Sequence, residues 1–278
     1  MLHLFSNIIQ NILKKIKHLP QRAGIFWQKG VMYLTVYPAG TTPALRYARQ
    51  HLQKAGISVS GEPGLGIDHL LLDVPSFRPG SGLQLDTLLA SLPSSVTIWG
   101  GNLNHPSLAG YRCRDLLKNE DYLMQNAQIT AQCTIPIIAP LIQNRWQGLP
   151  VLITGWGRIT KHLAPLLGGM GCSITIAARK EAHRAEAEAL GFRSADTAAL
   201  QPLLPEILLI INTVPALLLS ESDLQPFCHM VKIDLASLRG LEGRDVVWAR
   251  GLPGIHAPEQ SGQLIAETFL RLVKEEKP

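Results

Sequence analysis

The 278-residue sequence predicts an α/β protein of two doubly wound parallel-sheet domains with a cleft between them. Three observations carry that class. From residue 31 onward, short runs rich in Val, Ile and Leu alternate with segments whose apolar residues recur at helical spacing, the pattern of strands joined by crossover helices and covered on both faces. The alternation occurs twice, over residues 31–100 and again from Val151, with a long helical stretch between. A chain of this length usually divides, since compact domains hold about 100 to 200 residues.

Composition narrows the class. Hydrophobic residues make up 46% and charged residues 17%, so there is ample apolar surface to bury and too little charge for a disordered chain. No apolar run reaches the roughly 18 residues of a membrane helix; the run at 207–211 is soon broken by Asn212 and Pro215. Cys113, Cys133, Cys172 and Cys228 stand singly, which fits reduced structural thiols, and no metal-ligand spacing is present, so no metal is expected. Residues 1–61 hold eight basic residues and no acidic one, leaving 18 basic against 21 acidic residues in the remainder. The pI of 9.1 therefore belongs to the front of the chain, and with no aromatic or finger motif a nucleic-acid groove is excluded.

Residues 1–28 form a basic amphipathic extension. Phe5, Ile8, Ile9, Ile12, Leu13 and Ile16 lie at helical spacing, with Lys14, Lys15 and Lys17 crowding one end. The charges follow the apolar residues, so the segment is no secretory signal. It reads as a loosely attached extension or the product of a start codon placed too early, and otherwise as a helix making weak contact with a membrane surface or a partner.

Residues 29–125 read as the first, flavodoxin- or Rossmann-like domain, on the substrate side. Strands are predicted over 31–37, 57–60, 69–74 and 96–99, with helices over 43–55, closed by Gly56, and over 83–92. The loops 38–42, 75–78 and 100–104 then share the carboxyl edge of the sheet, where they are either cleft walls or plain turns. A helical stretch over 115–145, interrupted near Pro136 and Pro140, links the domains. Residues 126–278 read as the second, NADP-binding Rossmann domain, ending in a helix over 260–274.

The most informative segment runs from Val151 to Thr160, where a strand, a glycine turn (Gly155, Trp156, Gly157) and a helix start (Arg158, Ile159) succeed one another. A further strand follows over 173–177. In that setting Gly155 permits the tight turn and Gly157 lets main-chain N–H groups approach a pyrophosphate at the positive end of the helix. Thr160 stands where Gly or Ala is usual, and its branched side chain is expected to push helix and strand slightly apart. After the second strand, an NAD site places Asp or Glu, whereas this chain has Arg179 and Lys180; two cations there predict NADP over NAD. The alternative is a solvated start to the next helix. The strand over 207–211 ends in Asn212, Thr213 and Pro215, where the backbone commonly passes the cofactor's ribose and nicotinamide.

These residues resemble a known family, the A subunit of dipicolinate synthase. The likeness rests on the segments 155–159, 178–181, 212–216, 233–237 and 251–254, with Ala257, Pro258 and Gly262, and on the interdomain stretches 115–118 and 126–131. The departures are Thr160, Gln132 where Glu is expected, and His256 where Lys is expected. The resemblance implies an NADP-dependent oxidation of a dihydrodipicolinate-type ring to pyridine-2,6-dicarboxylate, in the cytoplasm of the mother cell of a sporulating bacterium. It also implies the second, flavoprotein-like subunit of dipicolinate synthase as partner; self-association of the chain into a homo-oligomer is expected as well. Aromatisation favours such a reaction, so the protein must mainly orient the ring and neutralise two carboxylates. Candidate carboxylate partners are Arg78, Arg112, Arg114 and Arg239. Ser237 and His256 are the catalytic candidates, with a turn-capping Ser and an exposed His as their ordinary readings.

Two other functions fit the same reading. A 2-hydroxyacid dehydrogenase has a cofactor domain of the same order, but its usual Pro-His pair reads Pro253-Gly254 here. A non-catalytic nucleotide-binding accessory subunit is the third, since no acid/base dyad is evident.

Overall fold

A computed structural model describes residues 26–28, 31–79, 82–142 and 146–276. The amphipathic stretch predicted over residues 2–19 lies outside the described residues. Strands β1 (Phe26–Gln28) and β2 (Val31–Tyr33) form an antiparallel pair, and β3 (Thr35–Ala39) enters a parallel sheet, so the single strand predicted over 31–37 is two strands with different partners.

The first sheet is completed by β4 (Ser58–Val59), β5 (His69–Leu72), β6 (Thr97–Gly100) and β7 (Arg112–Asp115), crossed by α1 (Pro43–Lys54) and α2 (Leu85–Ala90). Its order is β4-β3-β5-β6-β7, all parallel, with the reversal of direction falling between β3 and β5. Helix α1 starts where it does because the Thr42 side chain accepts from Leu45 N and Pro43 brings a preset φ to the first turn. Its buried stripe of Ala44, Leu45, Ala48 and Leu52 repeats at helical spacing and faces the sheet.

Helix α3 (Glu120–Ile138) joins the two halves. Asp115 first caps a short 3-10 turn over Leu116–Lys118, and Asn119 then caps α3, which is why the helix starts later than the predicted stretch. Tyr122 packs into the core of the first sheet, whereas Ala131, Cys133 and Ile138 pack into that of the second.

The second unit contains β8 (Pro150–Thr154), α4 (Arg158–Gly169), β9 (Ser173–Ala177), α5 (Glu181–Ala189), β10 (Arg193–Ala195), β11 (Leu209–Asn212), α6 (Glu221–Leu224), β12 (Val231–Asp234), β13 (Val246–Trp248), α7 (Leu252–His256) and α8 (Pro258–Glu275). All six strands are parallel in the order β10-β9-β8-β11-β12-β13, the doubly wound order of dinucleotide-binding sheets. The fold class predicted from sequence is the one observed.

The C-terminal helix departs from the reading that attached it to the second domain. Leu264, Ile265, Phe269 and Val273 of α8 lie in the core of the first sheet with Leu45, Ala48, Leu52 and Trp99. A Cβ on Gly262 would stand 2.4 Å from Ala44 O and 2.7 Å from Ala48 N, so the absent side chain is what lets α8 cross α1 so closely. Helix α8 thus returns to the core of the first sheet. All four cysteines are free, and burial raises the thiol pKa of Cys113, Cys133 and Cys172, in keeping with inert structural thiols. None of the described helices is long and apolar enough to cross a membrane.

Candidate functional site

The strand register of the second sheet lines up Ala195, Ala177, Thr154, Asn212, Asp234 and Trp248 in one row along its carboxyl edge. Each residue of that row launches a loop, and ligands of open α/β sheets bind in the crevice such loops form at the topological reversal. The reversal lies between β8 and β11, which puts the glycine turn and the 213–215 loop side by side.

Gly155 sits at φ 92° and donates to Ala177 O at 2.8 Å. A Cβ there would meet Thr213 Oγ1 at 2.6 Å. Thr213 Oγ1 donates its single proton to Thr154 O at 2.8 Å, so Thr160 must be the donor in the 3.0 Å contact between the Thr160 and Thr213 hydroxyls. The residue that replaces the usual third glycine is therefore fully buried and fully engaged, tying α4 to the loop after β11. A lone glycine template hides this pair; the signal was the second threonine directly after Asn212.

Beyond Gly155 the backbone turns its donors outward. Gly157 is extended (φ −93°, ψ −172°), caps α4 without a side-chain hydrogen bond, and a Cβ on it would meet nothing within 4 Å. Among the described residues the main-chain N–H groups of Trp156, Gly157, Arg158 and Ile159 have no protein acceptor. No acidic residue occupies the first turn of α4. Four free donors at the positive end of a 12-residue helix, beside open space, fit a diphosphate.

Three side chains expected at this site do other things. The Trp156 indole is buried, edge-on to Phe192 at 6.1 Å with the Lys161 ammonium 5.8 Å from its centroid, so only its backbone faces the turn. Arg158 forks onto Glu120 at the start of α3, with Nη2 at 2.8 and 2.7 Å from the two carboxylate oxygens. The Asn212 side chain is consumed internally. Its oxygen accepts from Thr154 Oγ1 at 2.6 Å and Val214 N at 3.0 Å, and its nitrogen donates to Asp234 Oδ1 at 2.9 Å and Val214 O at 3.0 Å. Asp234, also buried, accepts from Ala236 N, Gly240 N and Leu241 N. This pair fixes the loops after β11 and β12 and leaves Thr213, Pro215 and Ser237 on the rim. Ile159 and Thr213 line a cleft of about 280 Å³ with Leu123, Asn126, Ala127 and Gly157.

At the end of β9, Arg179 and Lys180 are exposed and make no ion pair among the described residues. Beneath them Arg184 Nη1 bonds Ala178 O at 2.7 Å, Arg179 O at 2.9 Å and Asp196 Oδ2 at 2.7 Å. Arg184 is thus the brace of that corner.

His256 is exposed and lines a separate cleft of about 450 Å³ with Tyr47, Gln132, Cys133 and Glu259, sharing no lining residue with the glycine-turn cleft. Two of the three positions that depart from the resemblance, Gln132 and His256, thus meet in one place. Among the arginines expected to hold substrate carboxylates, Arg112 and Arg114 are bound to Glu276 just past the end of α8, and Arg78 stands 3.6 Å from Asp73. Arg239 stays unpaired among the described residues. No cluster of three or more His, Cys, Asp or Glu is arranged to hold a metal among those residues.

The first sheet has its own reversal point, and there the corresponding donors are already taken. Buried Asp73, at the end of β5, accepts from Thr41 N at 3.1 Å, from Thr42 N at 3.3 Å and from Thr42 Oγ1. A cleft of about 580 Å³ opens beside it, lined by Gly40, Thr41, Arg49, Ser76 and Leu83. Asp115 accepts from Asn102 N and Leu103 N and so shapes the 100–104 loop.

No family model matches the chain. A transhydrogenase from Sinorhizobium meliloti superposes with a TM-score of 0.64 at 10% identity, covering 87% of this chain and 92% of that one. The fold and the glycine-turn edge define a protein of two Rossmann-like parallel sheets. A crystal structure of the dipicolinate synthase A subunit from Bacillus halodurans superposes with a TM-score of 0.75 at 20% identity, covering 88% and 98% of the two chains. The dipicolinate synthase A subunit of Bacillus subtilis (strain 168) is 28% identical over 197 residues, a match spanning 66% of this chain and 66% of that relative's length. The chain is a homologue of the A subunit of dipicolinate synthase.

Proposed function

We propose that the chain is an NADP-dependent oxidoreductase of the type found as the A subunit of dipicolinate synthase, converting a dihydrodipicolinate-type ring to pyridine-2,6-dicarboxylate. The observation that carries this reading is the set of four free N–H groups at residues 156–159 beside open space, one strand away from the unpaired cations Arg179 and Lys180. The turn would seat the diphosphate, and Arg179 with Lys180, braced by Arg184, would take the 2′-phosphate that distinguishes NADP from NAD. When bound, the cofactor supplies a hydride acceptor. The loop of Thr213 and Pro215, held by Asn212 and Asp234, would orient the acceptor ring, and the substrate loses one hydride and one proton as it becomes aromatic. Ser237 and His256 are the candidates to receive that proton, Ser237 on the rim of the same edge and His256 from the neighbouring cleft. We take 29–125 and 126–278 as the substrate-side and cofactor domains, with α8 docked back on the first. A second, flavoprotein-like subunit, a homo-oligomer and a cytoplasmic setting in a sporulating mother cell belong to the same reading.

The 2-hydroxyacid dehydrogenase alternative needs a His held by a carboxylate, and His256 makes no ion pair among the described residues. The decisive test titrates NADP against NAD, then adds the cyclic precursor. Tighter binding of NADP, with reduced cofactor and pyridine absorbance rising together, is the expected result. Heat with neither coenzyme would refute it, and turnover only after adding the flavoprotein-like partner would make the chain an accessory.

A further inference from the structure

We propose that Arg239 and Arg250, both set against Trp248 at the end of β13, form the site for the two carboxylates of a small dianionic substrate. The proposal rests on the oxidoreductase reading above and names the residues that would hold its substrate.

Trp248 is a fixed platform. Its indole Nε1 donates to Ala236 O at 3.0 Å, and its register opposite Asp234 places it on the same edge row as Thr154 and Asn212. The guanidinium carbons of Arg239 and Arg250 each stand 4.8 Å from the centroid of that one ring, and so lie within about 10 Å of each other. The ring attracts each cation by its face, which orders two otherwise free side chains while leaving their N–H edges open. Arg112, Arg114, Arg158, Arg184 and Arg271 each meet a carboxylate, whereas Arg239 and Arg250 meet none among the described residues and donate no side-chain hydrogen bond there. Two guanidinium groups gathered on one indole without a counter-ion form a doubly positive pair that a dianion would complete.

Position along the edge agrees. Neighbouring strands are about 4.8 Å apart, so β13 lies two steps, about 10 Å, beyond β11. A dinucleotide anchored at Arg179 and Lys180 and crossing the glycine turn at β8 directs its far ring toward the loops after β11 and β12. The Trp248 pair stands just past that point, where a substrate has to face the ring. Exposed Ser237 and Leu238 lie on the connecting loop.

The test is calorimetry on the full chain saturated with NADP, using pyridine-2,6-dicarboxylate as probe and pyridine-2-carboxylate as its single-charge control. The dicarboxylate should bind at least tenfold tighter than the control. Arg239→Gln and Arg250→Gln should each weaken it by about 10- to 100-fold, the loss of a charge-assisted pair, while NADP affinity stays within twofold of the parent. The Lys variants should recover part of the loss. If the parent binds NADP and the dicarboxylate and both Gln variants bind the dicarboxylate equally well, the clamp falls and the oxidoreductase reading stands. If the parent binds NADP but prefers neither probe, the clamp falls as well. If the parent binds neither NADP nor the dicarboxylate, both fall together.

Discussion

Gly155 and Gly157 flank the same tryptophan, yet substitutions at the two should fail in different ways. Gly155→Ala places a methyl 2.6 Å from Thr213 Oγ1 on a backbone at φ 92°. The left-handed conformation costs a non-glycine residue about 1 to 2 kcal/mol, and displacing the Thr213 hydroxyl from Thr154 O forfeits about 1 kcal/mol more. The variant should therefore lose about 2 to 3 kcal/mol of stability. Gly157→Val places its side chain in open space on an extended backbone, and only its poorer capping tendency counts, about 1 kcal/mol at most. The same branched side chain would fill the space where a diphosphate approaches the free N–H groups, forfeiting at least two charge-assisted hydrogen bonds of about 1.5 to 3 kcal/mol each. That corresponds to a loss of NADP affinity of about 100-fold or more. Urea titrations give the stabilities and calorimetry the affinities. A Gly157→Val protein that stays folded and binds NADP like the parent would refute the placement of the diphosphate.

Other outcomes follow from the same geometry. Replacing Arg179 and Lys180 together by Gln should weaken NADP by tenfold or more and leave NAD within about twofold, the charge-assisted contacts to a 2′-phosphate being the only ones removed; equal losses for both coenzymes would count against the assignment. Asp73→Ala strips the acceptor from Thr41 N, Thr42 N and the Thr42 hydroxyl and should cost about 2 to 4 kcal/mol in a urea titration without changing NADP affinity. His69 receives the Trp99 indole N–H on Nδ1 at 3.0 Å, so its proton sits on a buried Nε2 without a partner. Burial, opposed by Asp68 and Glu276, pushes its pKa down from 6.5 to about 4. The unfolded chain then binds this proton before the folded one does, so the stability it contributes is complete above pH 6.5 and drains away toward pH 4, by about 3 kcal/mol. His69→Phe should flatten that part of the pH dependence of Tm relative to the parent.

What could be read from the sequence was whatever a short period encodes. The strands at 151–154, 173–177 and 209–212 are near-continuous apolar runs between turn residues, and the two-sheet architecture followed from their repetition. The short edge strands β7 and β10 carry Arg with Asp and Arg with Ser in place of such runs, and they exist because a neighbour supplies the pairing. The docking of α8 was illegible for a related reason: its apolar stripe says that it is buried, never against which sheet. At the site, backbone functions were legible and side-chain directions were not. The roles of Gly155 and Gly157 follow from conformation, which sequence spacing encodes. Trp156 turns toward Phe192, Arg158 toward Glu120 and Arg112 with Arg114 toward Glu276, because residues far away in sequence offered each a partner.

The two reversal points differ in whether the main-chain donors before the helix are already satisfied. Both sheets bring a strand end, a short turn and a helix start together, the arrangement that favours an anion. In the first, Asp73 from the adjacent strand supplies that anion permanently, satisfying the turn before α1 with a carboxylate that no ligand needs to replace. In the second, the adjacent strand ends in Asn212, which turns toward Thr154 and Asp234 and leaves the donors before α4 exposed. A neutral amide that can both donate and accept satisfies the Asp234 carboxylate and the Thr154 hydroxyl at once without offering charge to the turn. The difference between the closed and the open turn thus comes down to the residue just past the strand that follows the reversal: the carboxylate of Asp73, against Gly40, in one sheet and the hydroxyl of Thr213, against Gly155, in the other.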